Sequence, residues 1–232
     1  MQMLGEKIDS HEDAAGLPRL MPNTRAQKKQ TDILKVASKL FLERGYDAVS
    51  LDDILERVGG SKTTLYSYYG GKEGLFAAMV QMKCRDKLTS FLTMDIADLG
   101  PKAGLTTLGK QFWSIISDPE GQAMFRAMIA EAQRFPELAS TFFAAGPEMA
   151  IRALRRNIEH WQKAGLLRCG NAEALAIQFL GIMMGNFHLK NLLGLSEPLT
   201  ERQINTWVTR GVELFLEGAL PRKTAGSSLE QN

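Results

Sequence analysis

The sequence predicts an all-α fold: an N-terminal three-helix unit built on a helix-turn-helix, then a larger helical body, about nine helices in all. Three observations predict it. Apolar residues recur at i, i+3, i+4 spacing along most of the chain, and no period-two stretch is long enough for a strand. Gly-Pro, Asp-Pro and paired-glycine breaks cut the chain into helix-sized lengths. Residues 50–72, SLDDILERVGGSKTTLYSYYGGK, read as two short helices around a glycine turn. With 232 residues, 44% hydrophobic and 23% charged, the chain has the composition of a soluble globular protein and enough apolar material for a sizeable core.

Residues 1–23 mix charges with Gly16, Pro18 and Pro22, show no sustained period, and are expected to form a tail. His11, Glu12 and Asp13 sit together there without metal-site spacing. A helix over 24–44 follows, capped by Thr24, with Ile33, Ala37, Leu40 and Phe41 as its core stripe and Gly45 as its stop. Arg25, Lys28 and Lys29 crowd its first turn, where the helix dipole disfavours cations. They either flank phosphates or form a merely solvated end.

Ser50 and Asp53 make a capping box for the second helix, whose apolar face is Leu51, Ile54, Leu55 and Val58. Gly59 and Gly60 end it, and Ser61 caps the third helix. Leu65 and Tyr69 lie four apart and turn inward, leaving Lys62, Thr63, Thr64, Tyr66, Ser67 and Tyr68 on the outer surface. That helix surface carries one cation, three hydroxyls, two phenols and no acid. Such donors suit base edges and phosphate oxygens, so this is the reading helix of a helix-turn-helix. The three helices span residues 24–71, a unit small enough to lean on its neighbour.

Gly70, Gly71 and Lys72 open a helix to about residue 92 with Leu75, Phe76, Met79, Val80, Leu88 and Phe91 inside. A phosphate-cradling loop for a nucleotide lacks both its spacing and a preceding strand. Helices over 102–117 and 119–134 follow, Pro119 taking a first helical position. Pro136 starts a segment that Gly146-Pro147 either breaks or kinks, and a long helix with Leu154, Ile158 and Trp161 then runs to Gly165. Residues 171–193 are apolar nearly all round, with Gly181 and Gly185 four apart so that another backbone can approach. Residues 200–220 carry Ile204, Trp207, Val208, Gly211, Val212, Phe215 and Leu216 as one stripe. The body is thus 72–220, and 221–232 is expected to be a second tail.

Charge alone announces no partner. The net charge is +2, and residues 19–73 hold ten Lys/Arg against seven Asp/Glu, although phosphate contact needs only a few placed cations. Catalysis is not expected. The three histidines, His11, His160 and His188, fall at no metal-ligand spacing, and no nucleophile elbow, dinucleotide fingerprint or kinase loop occurs, so neither metal nor cofactor is expected. Glu131 with Arg134 is a helix-surface pair. Cys84 and Cys169 form no CxxC pair and read as reduced thiols. No signal peptide is visible, and residues 174–195 contain Gln178, Asn186, His188, Lys190 and Asn191, too polar to cross a bilayer; the expectation is a cytoplasmic protein with no membrane partner.

The run from residue 33 through 76 resembles the N-terminal domain of TetR-family transcriptional regulators, on LFLERGYDAVSLDDILERVG followed by SKTTLYSYYGGKEGLF. It departs from the family pattern at Gly60 (usually small and apolar), Thr63 (commonly glycine) and Tyr69 (commonly phenylalanine). The resemblance implies a homodimer on a double-stranded palindromic operator. Ser61, Lys62, Thr63, Thr64 and Ser67 would then lie at the reading surface, with Lys62, Thr63 and Thr64 on base edges and Tyr66, Tyr68, Lys72, Ser50 and Lys28 on phosphates. It also implies that the last two helices of each subunit form a four-helix bundle through Gly181, Gly185, Ile204, Trp207, Val208, Gly211, Val212 and Phe215; plain burial in the protomer is the alternative. A small apolar or amphipathic effector would enter the body among Phe112, Trp113, Met124, Phe125, Met128, Phe142, Trp161, Gln178, Met183, Phe187 and His188, residues that equally suit a packed core. Soft methionines among aromatics fit either. The implied mechanism is a repressor released from DNA by its effector. A rival keeps the fold but binds DNA constitutively and recruits a protein partner without sensing a ligand.

Overall fold

The computed structural model describes residues 25–94, 96–195 and 198–219. The expected tails, 1–23 and 221–232, and the Thr24 cap lie outside the described residues. Those residues form ten α-helices and no strand. The helices are α1 (Arg25–Arg44), α2 (Leu51–Val58), α3 (Lys62–Tyr69), α4 (Lys72–Thr93), α5 (Gly100–Ile116), α6 (Pro119–Glu131), α7 (Pro136–Ala145), α8 (Pro147–Lys163), α9 (Ala172–Leu192) and α10 (Glu201–Ala219), with a 3-10 turn (Ala97–Leu99) before α5. Gly146-Pro147 breaks the chain rather than kinking it: Gly146 sits at φ −114°, ψ −89°, outside the helical region, and Pro147 starts α8. That separates α7 from α8.

Side-chain caps start the helices where the sequence places them. The Ser50–Asp53 capping box is complete, Ser61 accepts from the Thr64 amide at 3.1 Å, Asp118 from Gly121 at 2.7 Å and Asn171 from Ala174 at 3.0 Å. Between α2 and α3 the chain turns on Gly59 (φ +66°) and Gly60 (φ +111°), and between α3 and α4 on Gly70 (φ +73°) and Gly71 (φ +140°). At φ +111° only glycine is comfortable, which accounts for Gly60 in place of a small apolar residue.

Two hydrophobic cores divide the molecule. The first joins α1, α2 and α3 through Ile33, Leu40, Ile54 and Leu65, then continues over Leu75, Phe76, Met79, Val80 and Cys84 of α4 to Met124, Met128 and Leu138. The reading unit therefore shares its core with the body. Four aromatics lock the junction: Tyr46 lies 5.0 Å from Phe76 and 4.8 Å from Phe135, edge-on to both, and Phe41 stands 5.1 Å from Phe76. The second core lies between α5, α8, α9 and α10, around Trp113, Trp161, Phe179, Met183, Val208 and Val212.

The α10 stripe requires a correction. Val208, Gly211, Val212 and Phe215 are buried inside the protomer against α5 and α9, so the cover that the stripe needs is supplied within the chain. An apolar stripe reports that a face is covered and is silent about what covers it. Gly185 meets a neighbour of its own protomer on one side: it takes φ +46°, ψ −151°, kinks α9, and receives the Trp207 indole, whose Nε1 donates to the Met183 carbonyl at 2.9 Å. Ile204 and Trp207 are half-buried on the same core. Both glycines stay exposed, and Gly181 has no atom within 4 Å of where a Cβ would stand.

Gly74 fixes how closely α3 approaches α4, since a Cβ there would run into the Tyr69 carbonyl oxygen. Gly74→Ala should lower the unfolding free energy by about 1–3 kcal/mol in urea denaturation, because backbone rather than a flexible side chain must give way. An unchanged midpoint contradicts this packing.

Candidate nucleic-acid interface and effector cavity

The outer surface of α3 is exposed at Lys62, Thr63, Tyr66 and Ser67, and half-exposed at Thr64 and Tyr68. Leu65 is fully buried, and Tyr69 anchors the helix by donating its hydroxyl to the Gln30 carbonyl at 3.0 Å. Burial, aided by neighbouring Tyr68, pushes the Tyr69 phenol up to about 12, so it stays a neutral donor. The hydrogen-bonding Tyr69 thus does a structural task that phenylalanine cannot. Thr64 shares its hydroxyl with Ser61 at 3.0 Å, and Ser67 donates to the Thr64 carbonyl at 2.8 Å.

The surface is less free of acid than α3 alone suggests. Asp52 of α2 reaches across the turn and pairs with Lys62 at 2.8 Å, and its hydrogen bond and charge raise the lysine pKa. Both groups are exposed, so water and a phosphate or base edge compete readily for the ammonium. Ser50 gives its hydroxyl to Asp53 in the capping box, whose hydrogen bonds hold that carboxyl below its usual range. Lys72 is half-buried over the Tyr46 ring at 4.4 Å and donates to the Asp47 carbonyl at 3.3 Å; burial lowers its pKa. Lys28 is exposed on the first turns of α1. Its neighbour Lys29, which sequence reasoning grouped with it, instead donates to the Val58 carbonyl and caps the end of α2.

Within the body a cavity of about 360 Å³ opens between α4, α5, α6, α7, α8 and α9. Phe112, Met124, Phe125, Phe142 and His188 line it. Sequence reasoning missed Cys84, Lys87, Gln122, Ile151 and Ile177, which come from four helices and leave no common pattern in the chain. The remaining expected residues lie elsewhere, for reasons of packing. Trp113, Trp161 and Met183 are interior to the second core, Met128 belongs to the first, and Phe187 packs edge-on against Trp113 (5.8 Å) and Trp207 (5.1 Å). Gln178 is exposed and borders a shallow groove between α9 and α10 with Gly181, Ile182, Leu214, Phe215 and Gly218.

Charge at the cavity mouth is balanced. Lys87 pairs with Asp118 at 2.9 Å and Glu120 at 3.8 Å, and Lys83 with Glu120 at 2.6 Å. Burial works against the Asp118 carboxylate, but the Lys87 ammonium and the Gly121 amide prevail and hold its pKa low. Burial pushes the Cys84 thiol up to about 12 and lowers the His188 pKa, so both are neutral near pH 7. No cluster among the described residues suits a metal ion, and no helix there is long and apolar enough to cross a membrane.

Residues 33–79 match the family model for bacterial regulatory proteins of the tetR family, and residues 103–218 match that for the C-terminal domain of AefR-like transcriptional repressors. Among solved structures, the chain is similar to the flavonoid-responsive regulator FrrA, at 33% identity and a TM-score of 0.77 over 84% of this chain and 99% of that one. A TetR-family structure from Mesorhizobium loti MAFF303099 shares the fold at 23% identity and a TM-score of 0.75, over 86% of this chain and all of that one. Among curated proteins, the repressor ComR of Escherichia coli K12 is 47% identical over 47 residues, 20% of this chain and 22% of its own. The activator FasR of Mycolicibacterium smegmatis is 37% identical over 54 residues, 23% of this chain and 25% of its own. The chain thus spans about a quarter of these two relatives, a length that corresponds to the reading unit.

Because the folded His188 pKa lies below the unfolded value of 6.5, its contribution to stability is complete above that value and is lost as pH falls from it through the folded pKa. Thermal unfolding should therefore show a fall in Tm over that window which His188→Asn diminishes. Identical pH profiles for the two proteins contradict the buried, neutral imidazole.

Proposed function

Because the chain belongs to the TetR family of bacterial transcriptional regulators, we propose that it is a homodimeric repressor, released from a near-palindromic operator when a small, mostly apolar effector enters its body. One observation carries the reading: α4 serves both sites. Its first turn meets the end of α3 at Gly74, and its middle walls the cavity through Cys84, Lys87 and Leu88. A molecule seated in the cavity therefore bears on the helix that sets the height and tilt of the reading helix. An effector weakens DNA binding only as far as it prefers the non-binding arrangement.

Lys62, Thr63 and Thr64 face base edges in this reading, with Ser61 and Ser67 beside them, while Tyr66, Tyr68, Lys28 and Ser50 meet phosphates and Lys72 steadies the corner behind them. Two reading helices related by a twofold axis span major grooves one turn apart, ~34 Å. For the twofold contact we propose the exposed edges of α9 and α10, centred on Gly181, Gln178, Leu214 and Gly218. Leu214 is 63% exposed there, and Gly181 permits close backbone approach. Repression is favoured by the AefR-like repressor model over the body, and an aromatic, apolar effector by the flavonoid responsiveness of the structural relative.

The test begins with duplexes selected by the protein from random sequence. In mobility-shift titrations, Lys62→Ala should change which bases are preferred and cost about tenfold on the best site. Tyr66→Phe should weaken all duplexes alike, about fivefold. Retained affinity and preference in both variants refutes the reader assignment. Leu214→Glu should shift the protein to monomer in sedimentation and reduce operator binding with it; a stable dimer in that variant refutes the proposed contact.

A further inference from the structure

Resting on the reading of the body cavity as an effector site, we infer that the effector is an uncharged aromatic molecule bearing a hydroxyl, which bonds to the imidazole of His188, and that carboxylates are rejected. The walls set the first requirement. Leu88, Phe112, Met124, Phe125, Ile177 and Leu180 make them overwhelmingly apolar. Phe125 stands edge-on to Phe142 at 5.4 Å and to His188 at 5.2 Å, leaving ring faces and edges that suit another flat ring. Phe143 and Ile177, 55% and 51% exposed, border the same cavity, so an apolar ligand covers surface that water otherwise meets.

Four polar side chains line the cavity; three are already engaged with a neighbour or are weak donors, and one has no partner. Lys87 is paired with Asp118 and Glu120. Gln122 donates its amide to the Ile116 carbonyl at 3.2 Å. Cys84 offers a buried neutral thiol, a weak donor. His188 makes no hydrogen bond to any described residue; its Nδ1 is closed off without a partner, which leaves Nε2 as the ring nitrogen for a ligand hydroxyl. A ligand hydroxyl both donates and accepts, so it serves either neutral imidazole tautomer. A carboxylate finds the opposite situation. Lys83 and Lys87 already balance Asp118 and Glu120, and an added negative charge in apolar surroundings has no counter-ion.

Equilibrium dialysis of the whole protein against naphthalene, 2-naphthol and 2-naphthoate at neutral pH tests this. The hydroxyl should tighten binding about fivefold over naphthalene, the value of one neutral hydrogen bond, and naphthoate should bind more weakly than either. His188→Phe should keep naphthalene and lose the preference for naphthol. His188→Asn, which retains a hydrogen-bonding group, should keep part of that preference; circular dichroism establishes that each variant is folded, and the asparagine variant carries the comparison if the phenylalanine variant is not. Naphthoate binding as tightly as naphthol, or a naphthol preference unaltered in a folded variant lacking the imidazole, overturns the inference while leaving the effector cavity standing. Binding of none of the three to the wild-type protein removes the cavity reading itself, and this inference with it.

Discussion

The edge-to-face contact of Tyr46 with Phe76 and Phe135 is the constraint on which the arrangement depends. Tyr46 sits in the corner between α1 and α2, Phe76 on α4, and Phe135 in the turn between α6 and α7. Each aromatic pair adds about 0.5–1.5 kcal/mol beyond the area that it buries. Three short helices enclose too little apolar surface to hold a fixed shape alone, so the reading unit takes its position from this junction. Polar contacts close over it: Lys72 lies on the Tyr46 ring and bonds to the Asp47 carbonyl, and Arg134 pairs with the Asp47 carboxylate. Burial, with nearby Glu73, Glu137 and Glu131, pushes the Tyr46 phenol up to about 12 and keeps it neutral in the junction.

Two routes leave the junction toward the cavity. α4 runs from Phe76 to Cys84, Lys87 and Leu88, and from the turn that holds Arg134 and Phe135 the chain leads back along α6 to Met124 and Phe125. The ion pairs from Lys83 and Lys87 to Asp118 and Glu120 tie those helices together at the cavity mouth. The reading unit, α4 and α6 are thus braced as a triangle. Closely packed interiors transmit displacement because they have few voids in which to absorb it. Glycine supplies the close approach this bracing needs at Gly74 beneath Tyr69, and Gly109 and Gly211 do the same around Met183 in the second core.

Much of this was legible in the chain, because local chemistry carries it. The capping box at Ser50, the caps at Ser61, Asp118 and Asn171, and prolines at first helical turns mark where helices begin. The inward Leu65 and outward Lys62, Thr63 and Tyr66 follow from the 3.6-residue period. What stayed hidden depends on partners remote in sequence. Periodicity marked the α10 stripe as covered without revealing that α5 and α9 of the same protomer cover it. Met124 and Met128 are one turn apart, yet one lines the cavity and the other faces the first core alone. Asp52 beside Lys62, and Lys29 capping α2, arise from contacts between helices that no spacing within one helix encodes. Gly185 signalled close approach, and within the protomer the group that approaches it is the Trp207 side chain.

The central claim is that the cavity and the reading helix are energetically one system. Reciprocity tests it most directly, because linked sites must change each other's affinity by the same factor. The measurement is a pair of dissociation constants: that of a selected operator duplex with and without saturating 2-naphthol, and that of 2-naphthol with and without saturating duplex. The account predicts that each weakens the other by one common factor of about five or more, a coupling on the scale usual for such linkage. Two constants that do not move, with both partners bound at once, would contradict it.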